Sequence, residues 1–365
     1  MTNLIKAKYN GKCVKCGEPI FEGDLIFWYE HLRYYCFRCG SKSRKKFSLV
    51  KTSSIKNKVF DTDHLTEIKT PIFKGVKEIT IVLESFTPNP YRGMCDMALA
   101  TWGSQIRKWD ILTPEERFYV VLKVLQNKAL PLGRESPSFL FSISGVSRSS
   151  FDQIARQRIG STFSSLGWNN IHTQTGFRIP NEILDHEEHD EFEYLLEDCV
   201  DRCKEVYSIL IGNGISYQSA REILPIGMLH WFHFNITYEA LRQFCSRRLC
   251  FSEKEDTVAT AWLMRERVKE KFPLLTLFLR PSCDWSKKCG YHSEDSLPEE
   301  MGTLFESCGR NPSLIKEPNV DFHRPSTKVS DLERDLNIKI PTFNDEFSVN
   351  NFDDLSDIDK ELFSK

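Results

Sequence analysis

Residues 151–165 read FDQIARQRIGSTFSS. The stretch opens with apolar residues at helical spacing, Phe151, Ile154 and Ala155, and closes on two arginines separated by one glutamine, a glycine and a run of small hydroxyl residues. Ser147 is a good N-cap, which predicts a helix that begins there and runs into the arginines. On an ideal helix Arg156 and Arg158 point about 200° apart, so they are expected to serve two ligands or two subunits rather than one phosphate. Gly160 lets the chain leave the helix. Ser161, Thr162, Ser164 and Ser165 then offer hydroxyls and backbone N–H groups suited to phosphate oxygens. The bland alternative is a pair of surface arginines at a helix C-terminus, where the dipole favours cations.

Working outward, SFLFSISGV (138–146) alternates as a strand and VKEITIVLES (76–85) has β-branched strand content. PYRGMCDMALATW (90–102) and TPEERFYVVLKVL (113–125) read as helices, the second with Thr113 and Glu116 as a capping box. Downstream, Phe192, Leu196, Cys199, Cys203, Val206 and Leu210 recur at steps of three and four, which predicts a long amphipathic helix with both cysteines on its core face. DHEEHDE (185–191) reads as a solvated helix start. His230 and His233 fall on opposite faces of a strand, so they are not expected to bind one metal. This regular region spans about residues 77–310 and predicts an α+β domain of mixed sheet and long helices.

The chain has 365 residues, 40% of them hydrophobic and 12% aromatic, with a net charge of -2. That composition excludes a disordered protein, and no apolar run reaches membrane-spanning length. The opening residues lack the apolar centre of a signal peptide, so a cytoplasmic location is expected. Charge is uneven: residues 1–60 hold 13 Lys/Arg against 4 Asp/Glu, whereas residues 341–365 hold 7 acids against 2 lysines. Residues 311–365 therefore read as an acidic, disordered tail.

Residues 1–50 carry Cys13-x2-Cys16 and Cys36-x2-Cys39, the spacing of a zinc ribbon in which four thiolates close on one Zn2+. So small a segment buries too little apolar surface to fold alone, and metal binding supplies roughly 10–16 kcal/mol. Residues 51–76 form a basic linker, so residues 1–60 could touch nucleic acid or protein. Cys283, Cys289, His292 and Cys308 are too irregularly spaced to predict a second zinc site, and Cys245 and Cys250 read as packing.

The ordered series ALPLGRESPSFLFSISGVSRSSFDQIARQRIGSTFSS (129–165), FRIP (177–180), SAREILP (219–225) and LRQFCSRRLC (241–250) resembles the flavin-dependent thymidylate synthase family along roughly residues 77–300. The resemblance implies a homotetramer whose active sites are assembled from several subunits. It implies reductive methylation of dUMP to dTMP at carbon 5, with FAD, methylenetetrahydrofolate and NADPH. Arg156, Gln157 and Arg158 stand at the family's Arg-His-Arg signature and would contact the cofactor, with Ser161, Ser164 and Ser165 in an adjoining phosphate-binding loop. Arg248, or Arg247 one position away, would hold and polarise the pyrimidine ring, with Arg158 beside it. Arg221 and Glu135 would complete the nucleotide site. Gln157, Leu166 and Ser136 replace residues of the family pattern, as do Thr237, Glu239 and Ala261 downstream. The departures leave two alternatives open: a dUMP or dCMP hydroxymethylase on the same fold, and an inactive oligomeric platform whose ribbon binds nucleic acid or protein.

Overall fold

The computed structural model describes residues 70–102, 108–126, 133–165, 176–286, 327–341 and 349–365, together with the backbone of short strands between residues 3 and 36. The chain divides into two units, Met1–Thr66 and Glu67–Lys365. In the first, β1 (Asn3–Lys6), β4 (Leu25–Tyr29) and β5 (Arg33–Cys36) form an antiparallel sheet in the order β1-β4-β5, and β2 (Gly11–Lys12) pairs with β3 (Pro19–Ile20). The zinc expectation for Cys13, Cys16 and Cys39, and for the side chain of Cys36, lies outside the described residues. So do Cys289, His292, Cys308 and most of the basic linker.

The second unit begins upstream of the expected boundary at residue 77, because β6 (Ile72–Lys74) pairs in parallel with β10 (Phe177–Ile179). Its central sheet has the order β7-β8-β11-β9, all antiparallel: β7 (Thr80–Phe86), β8 (Ser138–Ser147), β11 (Leu229–Thr237) and β9 (Ser161–Ser165). Strict alternation puts Phe139, Phe141 and Ile143 on the buried face, opposite Phe232, Phe234 and Ile236. Ser142, Trp231 and His233 take the other face, and His230 is buried while His233 is exposed, as the period of two requires.

Helices α1 (Pro90–Trp102) and α2 (Pro114–Gln126) pack on each other, and the Thr113–Glu116 capping box closes both ways. Helix α3 (Arg148–Ile154) follows β8. Helices α5 (Tyr238–Arg248) and α6 (Glu255–Lys269) pack beneath the sheet, and α6 is buried nearly all round, which is why its sequence shows little amphipathic contrast. Helix α4 (His189–Gly212) covers a second cluster around Phe177, Ile179 and Met228.

Three expectations are corrected. Helix α4 buries Val200, Lys204 and Tyr207, leaving Cys199 exposed and Cys203 half-buried, because the second cluster meets the helix about a third of a turn away from the predicted stripe. The acidic tail is not disordered throughout: residues 327–341 contain α7 (Val329–Leu336), and residues 349–365 contain α8 (Asp357–Ser364). Leu332, Ile340, Leu355 and Phe363 from this region are core residues. Finally, α3 ends at Ile154 with Ala155 as its C-cap, before the arginines. The divergence argued from helical geometry therefore does not apply to Arg156 and Arg158.

Candidate active site

Strand pairing is what stops α3 short. Beyond Ala155 the chain makes tight turns, Arg156 N–H to the Gln153 carbonyl at 3.3 Å and Gln157 N–H to the Ile154 carbonyl at 3.1 Å, and then enters β9 to pair with β11. Gly160 sits at φ 69°, and a Cβ there would lie 2.7 Å from Thr237 Oγ1 and 2.9 Å from the Ala240 Cβ. Glycine is required on both counts.

This turn presents Arg156 and Arg158 to solvent and buries Gln157. The Gln157 side-chain amide donates to the Ile159 carbonyl at 3.1 Å, and the Gln157 carbonyl accepts from the Ser161 hydroxyl. The expected phosphate-binding loop is instead a strand, since residues 161–165 pair with β11 along their whole length. Ser164 and Ser165 stand at the edge of that strand and line a cleft of about 470 Å³ together with Ser142, Ser144, Trp231 and His233. The Ser142 hydroxyl and His233 Nδ1 lie 2.9 Å apart in this cleft.

The N-terminus of α5 brings two of the predicted segments together, whereas Arg247 and Arg248 lie at the other end of the same helix. The N–H groups of Thr237, Tyr238 and Glu239 donate to the carbonyls of Gly160, Pro137 and Arg134 at 2.8, 2.9 and 3.0 Å. Three successive donors at a helix start thus tie the loop carrying Glu135 and the turn carrying Arg156 and Arg158 to one point. Glu135 is exposed there, whereas its neighbour Arg134 is 1% exposed. Arg134 donates from Nε to Glu239 Oε2 at 2.6 Å and from Nη1 to the Val124 carbonyl at 2.7 Å. Sequence reasoning chose Glu135 and passed over Arg134, because the partner that marks it, Glu239, lies 105 residues away and leaves no local signal.

Arg248 at the end of α5 is largely buried, with Nη1 2.6 Å from Glu253 Oε1 and Nη2 donating to the Gln153 carbonyl at 2.9 Å. Arg247 is exposed. Arg221 opens the 3-10 turn Arg221–Ile223 and is half-buried beside the second cluster. Burial pushes the Cys245 thiol up to about 12, which keeps it protonated and matches its reading as packing. No group of three or more metal-ligating side chains occurs among the described residues.

Behind the site lies a buried ionic network. Asp256 accepts the Ser147 N–H at 2.8 Å and the Ser150 hydroxyl, with Lys254 Nζ at 3.5 Å and Arg178 Nε at 3.9 Å. Burial alone would raise this carboxyl, but the two cations and the two serine donors hold it below its ordinary value. Glu255 accepts the Asn181 N–H and side-chain amide at 2.9 and 2.7 Å, yet burial pushes it up to about 7.

Burial, assisted by the Arg148 charge, pushes His230 down to about 4. The signs of these two groups oppose each other. Folded Glu255 holds a proton that the unfolded chain releases between about pH 4.5 and 7, so its contribution falls as pH rises. Unfolded His230 holds a proton that the fold rejects between about pH 4 and 6.5, so its contribution grows as pH rises. Glu255→Gln removes only the first effect. Its stability, followed by urea midpoint, is expected to climb with pH from 4.5 to 6.5 more steeply than that of the unaltered protein; equal slopes would refute the assignment.

A family described as thymidylate synthase complementing protein matches residues 83–274. A flavin-dependent thymidylate synthase from Sulfurisphaera tokodaii is 26% identical over 195 residues, covering 52% of this chain and 66% of that protein. The flavin-dependent thymidylate synthase of Pyrococcus abyssi is 25% identical over 221 residues, covering 57% and 84%. The chain thus spans just under two thirds of the length of the first relative. Among solved structures, a UMP/dUMP methylase, PolB, from Streptomyces cacaoi bound with 5-Br dUMP is 14% identical, covering 56% of this chain and 96% of that one, with a TM-score of 0.47. With the match running from within β7 through helices α1 to α6 and the rest of the central sheet, the chain belongs to the thymidylate synthase complementing protein family.

Proposed function

We propose that this protein is an enzyme of the flavin-dependent thymidylate synthase type. It methylates carbon 5 of the uracil ring of dUMP to give dTMP, with methylenetetrahydrofolate as carbon donor and NADPH as reductant. The observation that supports this most is the brace at the start of α5, which brings the Glu135 loop and the Arg156–Arg158 turn together inside the family-matched segment. The exposed guanidiniums of Arg156 and Arg158 fit the phosphates of FAD as charged donors, and the Ser164 hydroxyl, on the His233 face of β9, offers a further donor to a ligand in the cleft. Gln157 does not fit, because its amide is already engaged by its own turn. Bound there, the flavin would supply hydride to the pyrimidine.

The chain's own residues supply binding and charge. Arg158 and Arg248 stabilise negative charge that develops on a pyrimidine carbonyl, which permanently charged, planar guanidiniums do well. Glu253 and the Gln153 carbonyl keep the Arg248 fork oriented, and a pyrimidine oxygen competes with Glu253 for the same N–H groups. Arg221, Arg247 and Glu135 complete nucleotide binding. The working assembly is a homotetramer in the cytoplasm. A structural Zn2+ sits on Cys13, Cys16, Cys36 and Cys39, and the ribbon contacts nucleic acid or protein. No helix among the described residues is long and apolar enough to cross a membrane.

The test is direct. Purified protein is expected to carry the absorption of oxidised flavin, to release the hydrogen from carbon 5 of dUMP, and to yield a product heavier by one methyl group. A hydroxymethyl product would overturn the methylation step, and neither flavin nor hydrogen release would overturn the enzymatic reading. Arg158→Ala loses one charge-assisted contact of about 1.5–3 kcal/mol, so FAD affinity is expected to drop about ten- to hundredfold, read by flavin fluorescence. Unchanged affinity would remove Arg158 from the cofactor site.

A further inference from the structure

We propose that Asp256 is a positioning residue: it anchors helix α3 and through it holds the Arg156–Arg158 turn in place, a role in catalysis that rests on the functional reading above. A helix of seven residues does not orient itself, because so few turns are marginal without tertiary contacts. Here the anchors come from α5 and α6. Asp256, fully buried in the first turn of α6, takes the N–H of the α3 N-cap residue Ser147 on one carboxylate oxygen and the Ser150 hydroxyl on the other. The next residue, Thr257, places its hydroxyl 3.0 Å from the Ser150 hydroxyl and 3.2 Å from Gln153 Oε1. At the far end of α3 the Gln153 carbonyl accepts both the Arg156 N–H and the Arg248 guanidinium.

The chain of contacts therefore runs from α6 through both ends of α3 to the arginine turn. The charged groups facing Asp256 are Lys254 and Arg178, and Lys254 also reaches the Ser147 hydroxyl at 2.7 Å. Asparagine at this position keeps oxygen for the Ser147 N–H while removing one counter-charge from both cations, although Arg178 still feels Glu255, Glu78 and Asp335. Alanine leaves the Ser147 N–H buried and unpaired, which is the more disruptive change.

The measurement is hydrogen exchange of the full chain, with FAD affinity determined on the same samples. In Asp256→Ala the segment 148–160 is expected to exchange at least tenfold faster, with residues 114–126 and 357–364 unchanged and FAD bound at least tenfold more weakly; Asp256→Asn should fall between. Equal acceleration in all three segments, or none in 148–160, overturns the anchor. Local acceleration with undiminished FAD affinity overturns its link to the site. If the unaltered protein binds no FAD yet Asp256→Ala accelerates 148–160 alone, the flavin reading fails and the anchor stands. Should Asp256→Ala not fold, Ser150→Ala removes one donor and keeps the other, and at least threefold local acceleration is expected of it, with no acceleration counting against the anchor.

Discussion

Arg134→Met is expected to destabilise the second unit by about 3–5 kcal/mol, read as a fall in the urea midpoint at neutral pH. The reason is not the lost attraction as such. Glu239 is 8% exposed, and without Arg134 its carboxylate would remain buried, with Arg242 Nε no closer than 3.9 Å. The Val124 carbonyl would lose its guanidinium donor as well. Adding Glu239→Leu to the same chain should restore most of the loss, because replacing both partners removes the stranded charge. A single variant that costs below about 1 kcal/mol, or a double variant no better than the single, would contradict this account. The pair also bears on function. Glu239 stands at the N-terminus of α5, and its backbone N–H is one of the three donors that gather the site, so loosening it should disturb the Glu135 loop first.

Phe363→Ala is expected to cost about 3–5 kcal/mol, an effect that no disordered tail could produce. The ring is fully buried, stacked on Tyr91 with centroids 4.5 Å apart and planes at 7°, and set edge-on to Phe118 at 5.8 Å. Its backbone is held as firmly: Arg117 donates to the Phe363 carbonyl at 2.7 Å while lying over the Trp109 ring. Asn89 donates to the Leu362 carbonyl at 2.9 Å. Asp359, one turn earlier, accepts from the Tyr91 hydroxyl and from the Leu274 N–H. Phe363→Leu keeps most of the buried volume and should cost well under half as much. Equal losses for Leu and Ala would mean that the ring stacking, not cavity formation, dominates; no loss for either would mean that residues 349–365 do not pack here in solution.

The two failures of sequence reading at α3 and at the tail share a cause. In FDQIARQRIGSTFSS nothing local opposes a helix through Arg158, and what ends it is the pairing of residues 161–165 with 232–236. In NFDDLSDIDKELFSK the acids dominate composition, and the apolar residues that matter, Leu355 and Phe363, are too few to signal a core segment unless the aromatic slot that receives them is known. The face of α4 was misjudged by the same logic: Val206 and Cys199 make as good a stripe on paper as Val200 and Tyr207, and only the position of the second cluster chooses between them. The family signature was legible as an ordered series, but Arg134 and Asp256 were not, because a buried charge looks like any other charge in a sequence.

Local periodicity was enough to determine the strand 138–146, the helices at 90–102 and 113–125 and the capping box between Thr113 and Glu116. These signals rest on neighbours a few residues apart, where alternation and helical spacing repeat burial directly. The order of the central sheet, the end of α3 and the partners of Arg134 and Asp256 were decided only in three dimensions. Glu239 lies 105 residues from Arg134, and Asp256 lies 109 from Ser147. Contacts over such separations leave no period along the chain; whether a carboxylate is a solvated surface charge or a buried anchor depends on which segments the folded core sets against it.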